Sequence, residues 1–384
     1  MTKLKQQLEA MLEEPVANAA ARREQELSSL QIEHGLVLYG AGTLGRTALN
    51  AVRKLGLEPI GFVDDTPEKQ GSTLDGAPIY SITKLAEVSS RVAIVVTIMN
   101  PRLPFVHARR RIAAHTLAPV FSYVQLSWKY PNAIPPYYQF DLPEDTLLSG
   151  DKIRAAFAVL ADDRSREEYV TQLRFRLHLN YDHLPNAHSG GYLDCDVLPD
   201  LPPDLTFVDC GAYDGDSICE FVMHRGASFS RIIAFEPDPN NFSRLKDSVG
   251  RQPPDVANKI ELYPSAVGER RGPSQFHSTG DMGASLSDFG GTTVAVSTLD
   301  DVLRRVETPI LVKMDIEGAE QSALAGASDL IRRRRPFLVI AAYHTPNDLW
   351  HIPLYLHGLF RDYSIFARAR GTDGMDFFYY AVPR

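Results

Sequence analysis

Long apolar runs are missing from this chain. No stretch approaches the roughly 18 to 20 consecutive apolar residues that a helix needs to cross a bilayer, so no membrane span is expected. The opening MTKLKQQLEAMLEEP has no apolar signal-peptide core. Cysteine is scarce: Cys195, Cys210 and Cys219 are too few for a disulfide framework and lack zinc spacing. The expectation is a reducing, cytoplasmic setting. An excess of positive charge is absent too. The net charge of −8 argues against nucleic acid or an anionic membrane as the main partner. The one dense basic run, Arg332 to Arg335, reads as the solvated C-terminal turn of a helix, where cations suit the dipole, or else as a phosphate contact. There is no internal repeat and no low-complexity tract. The chain does have apolar content, 44% hydrophobic against 23% charged, which supplies sizeable cores over its 384 residues.

The pattern of apolar runs divides the chain. Residues 1–33 read as a polar helical arm broken at Pro15. Residues 34–125 open with GLVLYGAGTLGRTALNAVRKLGLEPIGFVDD, a strand, a glycine turn, a helix and a second strand, and continue as a Rossmann-like nucleotide-binding domain. Residues 126–200 read as a Pro-rich linker and a helical segment in which Ser165 and Glu168 have capping-box spacing. From residue 201 the alternation restarts, with strands at LTFVDC, RIIAFE, KIELYPSAV, PILVKMD and PFLVIAAY, and the sequence to residue 384 ends in a hairpin pattern. The fold class is therefore α/β, with two doubly wound Rossmann-like domains.

In such sheets ligands bind outside the carboxyl ends of the strands. Four strand ends of the C-terminal domain carry titratable groups: Asp209, Glu236, Asp315 with Glu317, and Tyr343 with His344. Gly211 permits close backbone approach, and Gly215 opens a helix whose N–H groups suit an anion. Glu236 follows Gly215 at about the twenty-residue spacing from which an acid meets ribose hydroxyls. The turn is D-x-G-x-x-x-G, with no glycine placed for a pyrophosphate to cross. That pattern suits an adenosine-type cofactor without a diphosphate and points to S-adenosylmethionine.

FVDCGAYDGDSICEF, AFEPDPNNF, VSTLDDVL, VKMDIEGAEQSALAGA and YHTPNDLWHIPLYL resemble the FkbM family of S-adenosylmethionine-dependent methyltransferases over roughly residues 155–384. The resemblance implies a seven-stranded methyltransferase sheet ending in an antiparallel hairpin. It also implies O-methylation of a sugar, polysaccharide precursor or natural product, so the expected partner is a small-molecule or glycan acceptor. Ala212, Tyr213, Asp214 and Ser217 in and after the glycine turn, Pro237 beside Glu236, Ala266, and Tyr192 ahead of the first strand join Asp209, Gly211, Gly215, Glu236 and Asp315 as the expected cofactor-binding set.

An aliphatic hydroxyl needs help to lose its proton. His344 is the expected base from its ordinary titration range, with Asp315 and Glu317 holding the acceptor, acting as base or binding a divalent cation. Glu320 joins the site or forms a surface pair. Asp194, Asp196, Asp300 and Asp301 read as loop and cap residues, and Trp350 as packing. In the N-terminal domain Gly40, Gly42, Thr43, Leu44 and Gly45, followed by Asp64 and Asp65 at the end of the second strand, form a nucleotide site for NAD or a nucleotide-sugar, or a βαβ scaffold that binds nothing. Tyr80 and Lys84 share the Y-x-x-x-K spacing of short-chain dehydrogenases, but Tyr80 ends a strand too soon after the glycines for that role. The sequence is compatible with an oligomer.

Overall fold

The apolar run after Gly35 becomes an inner strand of a parallel sheet, and later runs add to both sides of it. The computed structural model describes residues 2–100, 103–184, 191–193, 196–277, 285–286 and 291–384. The chain forms two units: Met1–Arg154 with Tyr169–Ala187 and Gly371–Met375, and Ala155–Glu168 with His188–Arg370 and Asp376–Arg384.

In the first unit, helices α1 (Lys3–Leu12) and α2 (Val16–Glu26) are separated at Pro15, which has extended backbone and caps α2. Arg23 of α2 is buried. It pairs with Glu144 at 2.7 Å and donates to the Trp128 carbonyl, so this polar segment is fastened into the unit. The strands are β1 (Leu36–Tyr39), β2 (Gly61–Val63), β3 (Thr73–Leu74), β4 (Ala77–Tyr80), β5 (Ala93–Val96) and β6 (Val120–Ser122). They lie in the order β3-β4-β2-β1-β5-β6, all parallel except β3. Alternate residues feed two cores. Val37, Tyr39, Val63, Ile94 and Val96 pack with Phe105, Ala108 and Ile112 of α4 (Phe105–Ala113). Leu38, Phe62, Ala93 and Val95 pack with Ala48, Leu49 and Val52 of α3 (Thr43–Lys54) and with Leu126 of α5 (Tyr123–Lys129). Helices thus cover both faces, as the apolar strands require. Two short helices follow, α6 (Pro143–Leu147) and α7 (Gly150–Val159).

Helix α8 (Asp163–His178) comes next. Its first turn is capped by Asp162, whose Oδ1 accepts from the Ser165 backbone N–H at 2.7 Å. The expected cap residue, Ser165, is instead inside the helix. It is fully buried, with its hydroxyl accepting from Ala367 N and Arg368.

The second unit is built on β7 (Thr206–Cys210), β8 (Arg231–Phe235), β9 (Ile260–Tyr263), β14 (Ile310–Met314), β15 (Phe337–Ala341), β16 (Tyr363–Ala369) and β17 (Phe377–Pro383). Their order is β16-β17-β15-β14-β7-β8-β9. β17 runs antiparallel to both neighbours, and the five strands from β15 to β9 are parallel. The chain leaves β7 outward through β8 and β9, then returns to the other side of β7 with β14. The topological switch point therefore lies between β7 and β14. α9 (Asp216–Arg225), α10 (Pro239–Gly250) and α11 (Pro254–Ala257) occupy the first half. α12 (Leu299–Val302), α13 (Glu320–Ala325), α14 (Ser328–Arg334) and α15 (Asp348–Leu359) occupy the second. Arg332 to Arg334 end α14 and Arg335 caps it in the left-handed region, the helix terminus expected of that basic run.

KIELYPSAV is two strands rather than the one expected. Pro264 has no N–H to continue the ladder, and the chain passes from β9 into β10 (Ser265–Val267) of a second, four-stranded sheet. That sheet has the order β10-β13-β11-β12, with β11 (Gly272–His277), β12 (Ser285–Leu286) and β13 (Thr292–Ser297). Ala266, Phe276, Val294 and Val296 form its core.

Candidate active site

Register brings the predicted acids to one edge. Cys210 at the end of β7 pairs with Phe235 on one side and Met314 on the other, so Glu236 and Asp315 each lie one residue past aligned strand ends. Met314 in turn pairs with Ile340, and the chain beyond β15 presents Tyr343 and His344 at the same edge.

The edge is closely packed at its centre. Gly211 has φ +80°, and a Cβ there would stand 2.0 Å from the Asp315 carbonyl. The glycine is therefore required by the meeting of two chain segments at the switch point. Gly215, at φ +93°, begins α9, and a Cβ there would press on Ser248 and Leu245 at 3.1 to 3.2 Å. Tyr213 also has positive φ and donates its backbone N–H to Glu236 Oε2 at 2.9 Å. Glu236 Oε1 accepts from Asp238 N at 2.8 Å. Burial pushes the Glu236 carboxyl up to about 7, against the pull of these two amides. Ala212 and Ser217 are buried beside the turn, Asp214 and Pro237 are half-buried, and Ala266 lies in the small sheet.

Asp209 is fully buried, with Oδ1 paired to Lys313 Nζ at 3.1 Å and Oδ2 lacking a hydrogen-bond partner among the described residues. Burial, with Asp216 and Asp315 adding, pushes it up to about 6 although Lys313 opposes. Lys313 also donates to the Gly211 carbonyl at 3.2 Å and lies 5.2 Å from the Tyr192 ring. Burial alone would lower its pKa; Asp209, Asp315 and Asp216 outweigh burial and raise it.

Around Asp315 the polar groups are dense. Tyr343 donates to Oδ1 at 3.0 Å and Tyr192 to Oδ2 at 3.3 Å. His344 Nε2 is 3.2 Å from Asp315 Oδ1 and 3.7 Å from Glu317 Oε1, and Nδ1 is 2.8 Å from Glu320 Oε1. Burial would raise Asp315; His344, Lys313 and Tyr343 overcome it and hold the carboxyl at about 2. Burial would lower His344, but Glu320, Asp315 and Glu317 raise it well above its ordinary range. The His344 side chain has 0% exposure, against 15% for Asp315 and 18% for Glu317. His344, the expected base, is covered and surrounded by carboxylates. The groups that reach the surface are Asp315 and Glu317. Glu320, for which a surface pair was the other reading, is fully buried against His344.

Residues 209–368 match the methyltransferase FkbM domain. Over that region the chain is similar to the FkbM methyltransferase family. The 2-O-methyltransferase NoeI of Sinorhizobium fredii (strain NBRC 101917 / NGR234) is 28% identical over 156 residues. That match is 35% of this chain and 61% of the relative, so the chain spans less than two thirds of NoeI. The crystal structure of methyltransferase FkbM from Methylobacillus flagellatus KT superposes with a TM-score of 0.72 at 23% identity, covering 95% of this chain and 99% of that one. The likeness is one of fold.

The second unit also holds polar residues that do not end apolar parallel strands. Lys313 occupies an inward position within an apolar strand. Asp376, beyond the hairpin turn, is pushed up to about 6 by burial and by Asp315. Only its nearness to the terminal hairpin could have flagged it. Among the other acids, Asp196 pairs with Arg368 at 2.9 Å and Asp300 accepts from the first turn of α14, whereas Asp194 lies outside the described residues. Trp350 is packed, 2% exposed.

In the first unit the glycine turn follows β1 and opens α3 as expected, with Gly42, Thr43 and Leu44 at the helix start. Gly40 and Gly45 have structural reasons to be glycine. A Cβ on Gly40 would meet Ile98 at 2.4 Å, and one on Gly45 would meet the Gly40 carbonyl at 2.1 Å. Gly42 faces open space. Each carboxylate oxygen of the two acids already accepts from a protein donor. Asp64 takes Thr66 N on Oδ1, and Ala41 N with Lys69 on Oδ2. Asp65 takes Tyr39 on Oδ2 and Arg111 on Oδ1. Lys84 of the Y-x-x-x-K pair binds Glu87 at 2.5 Å, and its ammonium lies 5.3 Å from the Tyr80 ring.

Proposed function

We propose that this protein methylates a hydroxyl of a sugar, polysaccharide precursor or other small molecule, with S-adenosylmethionine as the methyl donor. The observation that supports this reading is the alignment of Asp209, Glu236, Asp315 and His344 along one sheet edge, centred on the switch point of an FkbM-family domain. The donor brings a methyl group on a positively charged sulfur, a good and neutral leaving group once the methyl departs. Glu236 accepts the ribose hydroxyl pair, and the turn from Gly211 to Gly215 accommodates the adenosine and amino-acid portions. Acidic residues around Asp209 and Asp315 favour a cationic ligand. The NoeI relative, named as a 2-O-methyltransferase, supports oxygen as the acceptor atom.

In the transfer, the acceptor oxygen approaches the methyl carbon opposite sulfur. The C–O bond forms as the C–S bond breaks, and the bonding pair stays on sulfur. Asp315 and Glu317, the carboxylates that reach the surface, orient the hydroxyl, and Glu317 receives its proton. Much of the rate enhancement comes from holding the two reactants in line. Calorimetry and product assay test the reading. S-adenosylmethionine binds the purified protein, and S-adenosylhomocysteine accumulates when a cell extract supplies the acceptor. Glu236→Ala abolishes binding while Asp64→Ala leaves it intact. Absence of heat with S-adenosylmethionine, or equal effects of the two substitutions, overturns it.

A further inference from the structure

His344 is encircled by oxygen. Asp315, Glu317 and Glu320 approach its two ring nitrogens at 3.2, 3.7 and 2.8 Å, and Asp348 and Asp376 stand nearby. Lys313, paired with Asp209, is the other cation that acts on Asp315. Glu320 has no exposed side-chain surface, and its Oε2 has no hydrogen-bond partner among the described residues. Three carboxylates, one fully buried and two largely covered, face one imidazole here, more negative charge than a single imidazolium balances. Ligand atoms of Asp315, Glu320 and His344 all fall within 4.8 Å of one another.

We propose that this cluster binds a divalent transition-metal ion, with His344 Nε2 and Asp315 as its inner ligands and Glu317 closing the solvent side. Ligands about 2.1 Å from a common ion stand about 3 Å apart, and the 3.2 Å between Nε2 and Asp315 Oδ1 matches that spacing. Glu320 at Nδ1 supplies the carboxylate that a metal-bound histidine commonly needs on its other nitrogen, fixing the ring so that Nε2 faces Asp315. Tyr343 and Tyr192 hold Asp315 in turn. Imidazole with carboxylate donors suits Mn²⁺, Fe²⁺, Co²⁺ or Zn²⁺ better than Ca²⁺. The inference rests on the methyl-transfer reading for its purpose: an ion at this edge holds the acceptor oxygen and promotes loss of its proton.

The test is Mn²⁺ titration of the chelator-stripped full chain, with loss of the free-ion electron paramagnetic resonance signal as the readout and S-adenosylmethionine binding measured on the same sample. The expected result is stoichiometric, micromolar retention. Asp315→Asn and His344→Gln abolish it, and Glu320→Gln weakens it by about 10- to 100-fold. Glu317→Gln, at a side chain that reaches the surface, is the variant to use if the buried ones do not fold, and it also weakens retention. No Mn²⁺ or Zn²⁺ retained by folded protein at millimolar ion, or retention that Asp315→Asn and Glu317→Gln leave unchanged, overturns the site. Cofactor bound but no ion retained overturns the site alone; ion retained but no cofactor bound overturns the transfer reading and leaves the site standing.

Discussion

Lys313 and Glu236 are neighbours of the same edge with opposite problems. The Lys313 ammonium is buried and compensates Asp209, so Lys313→Met strands a carboxylate in a dry interior. Such a loss costs about 3–5 kcal/mol, read as a lower melting temperature, and Asp209→Asn in the same chain recovers part of it. Glu236 is acidic but held up to about 7 by burial. Its folded value lies above its unfolded one, so the free protein binds the extra proton between about pH 4.5 and 7. Stability therefore declines as pH rises through that window. Cofactor affinity moves the other way, because ribose hydroxyls need the ionised acceptor. Affinity is expected to climb up to tenfold per pH unit below about 7 and to level off above it. In Glu236→Gln, affinity is weak and flat with pH, and calorimetry from pH 5.5 to 8.5, spanning the roughly neutral range in which the group titrates, checks both points. The Asp209, Glu236 and Asp315 positions were legible because acids that end apolar strands fall at a predictable edge. Lys313 was not, since a cation within an apolar strand gives no sign of which acid it meets. The state of His344 was hidden as well, because Glu320 reaches it only through a turn of helix and a separate strand end.

At the scale of elements, the start of α8 is tied to the terminal hairpin. Asp162 caps the helix and also pairs with Arg368 of β16 at 2.8 Å. Its carboxyl is held at about 2, because Arg368 and Ser165 overcome the effect of burial. A depressed acid contributes stability above its unfolded pKa and loses it as pH falls toward the folded value. Asp162→Ala is expected to lower stability by about 1–2 kcal/mol near neutral pH, and the gap to the parent protein should close as pH falls from about 4 to about 2. Thermal melts across that range check this. Apolar runs made the strands of both main sheets readable, and Gly-containing turn chemistry made the hairpin readable. The four-stranded sheet escaped because KIELYPSAV has strand-forming residues on both sides of Pro264, and only the missing N–H of that proline marks the change of sheet.

For the whole molecule, the second unit needs Ala155–Glu168 as well as the long run after His188. Arg368 is 2% exposed and relies on Asp162, Ser165 and Asp196. A fragment of residues 201–384 has none of the three. It is expected to show no cooperative melt and no cofactor binding, in contrast to the full chain, by calorimetry on both. The interleaving of segments was illegible in sequence, since no local pattern assigns Gly371–Met375 to one unit and the residues on either side of it to the other.

That short segment has a consequence for synthesis on the ribosome. Asp373 accepts from Phe105 N, and the Gly374 carbonyl accepts from Gln139. The partners are 268 and 235 residues apart, so neither bond forms until Asp373 and Gly374 have been synthesised. Until that segment emerges, vectorial folding leaves the Phe105 amide and the Gln139 side chain without these acceptors, and the nascent first unit exposes an unfinished surface to chaperones over the intervening synthesis.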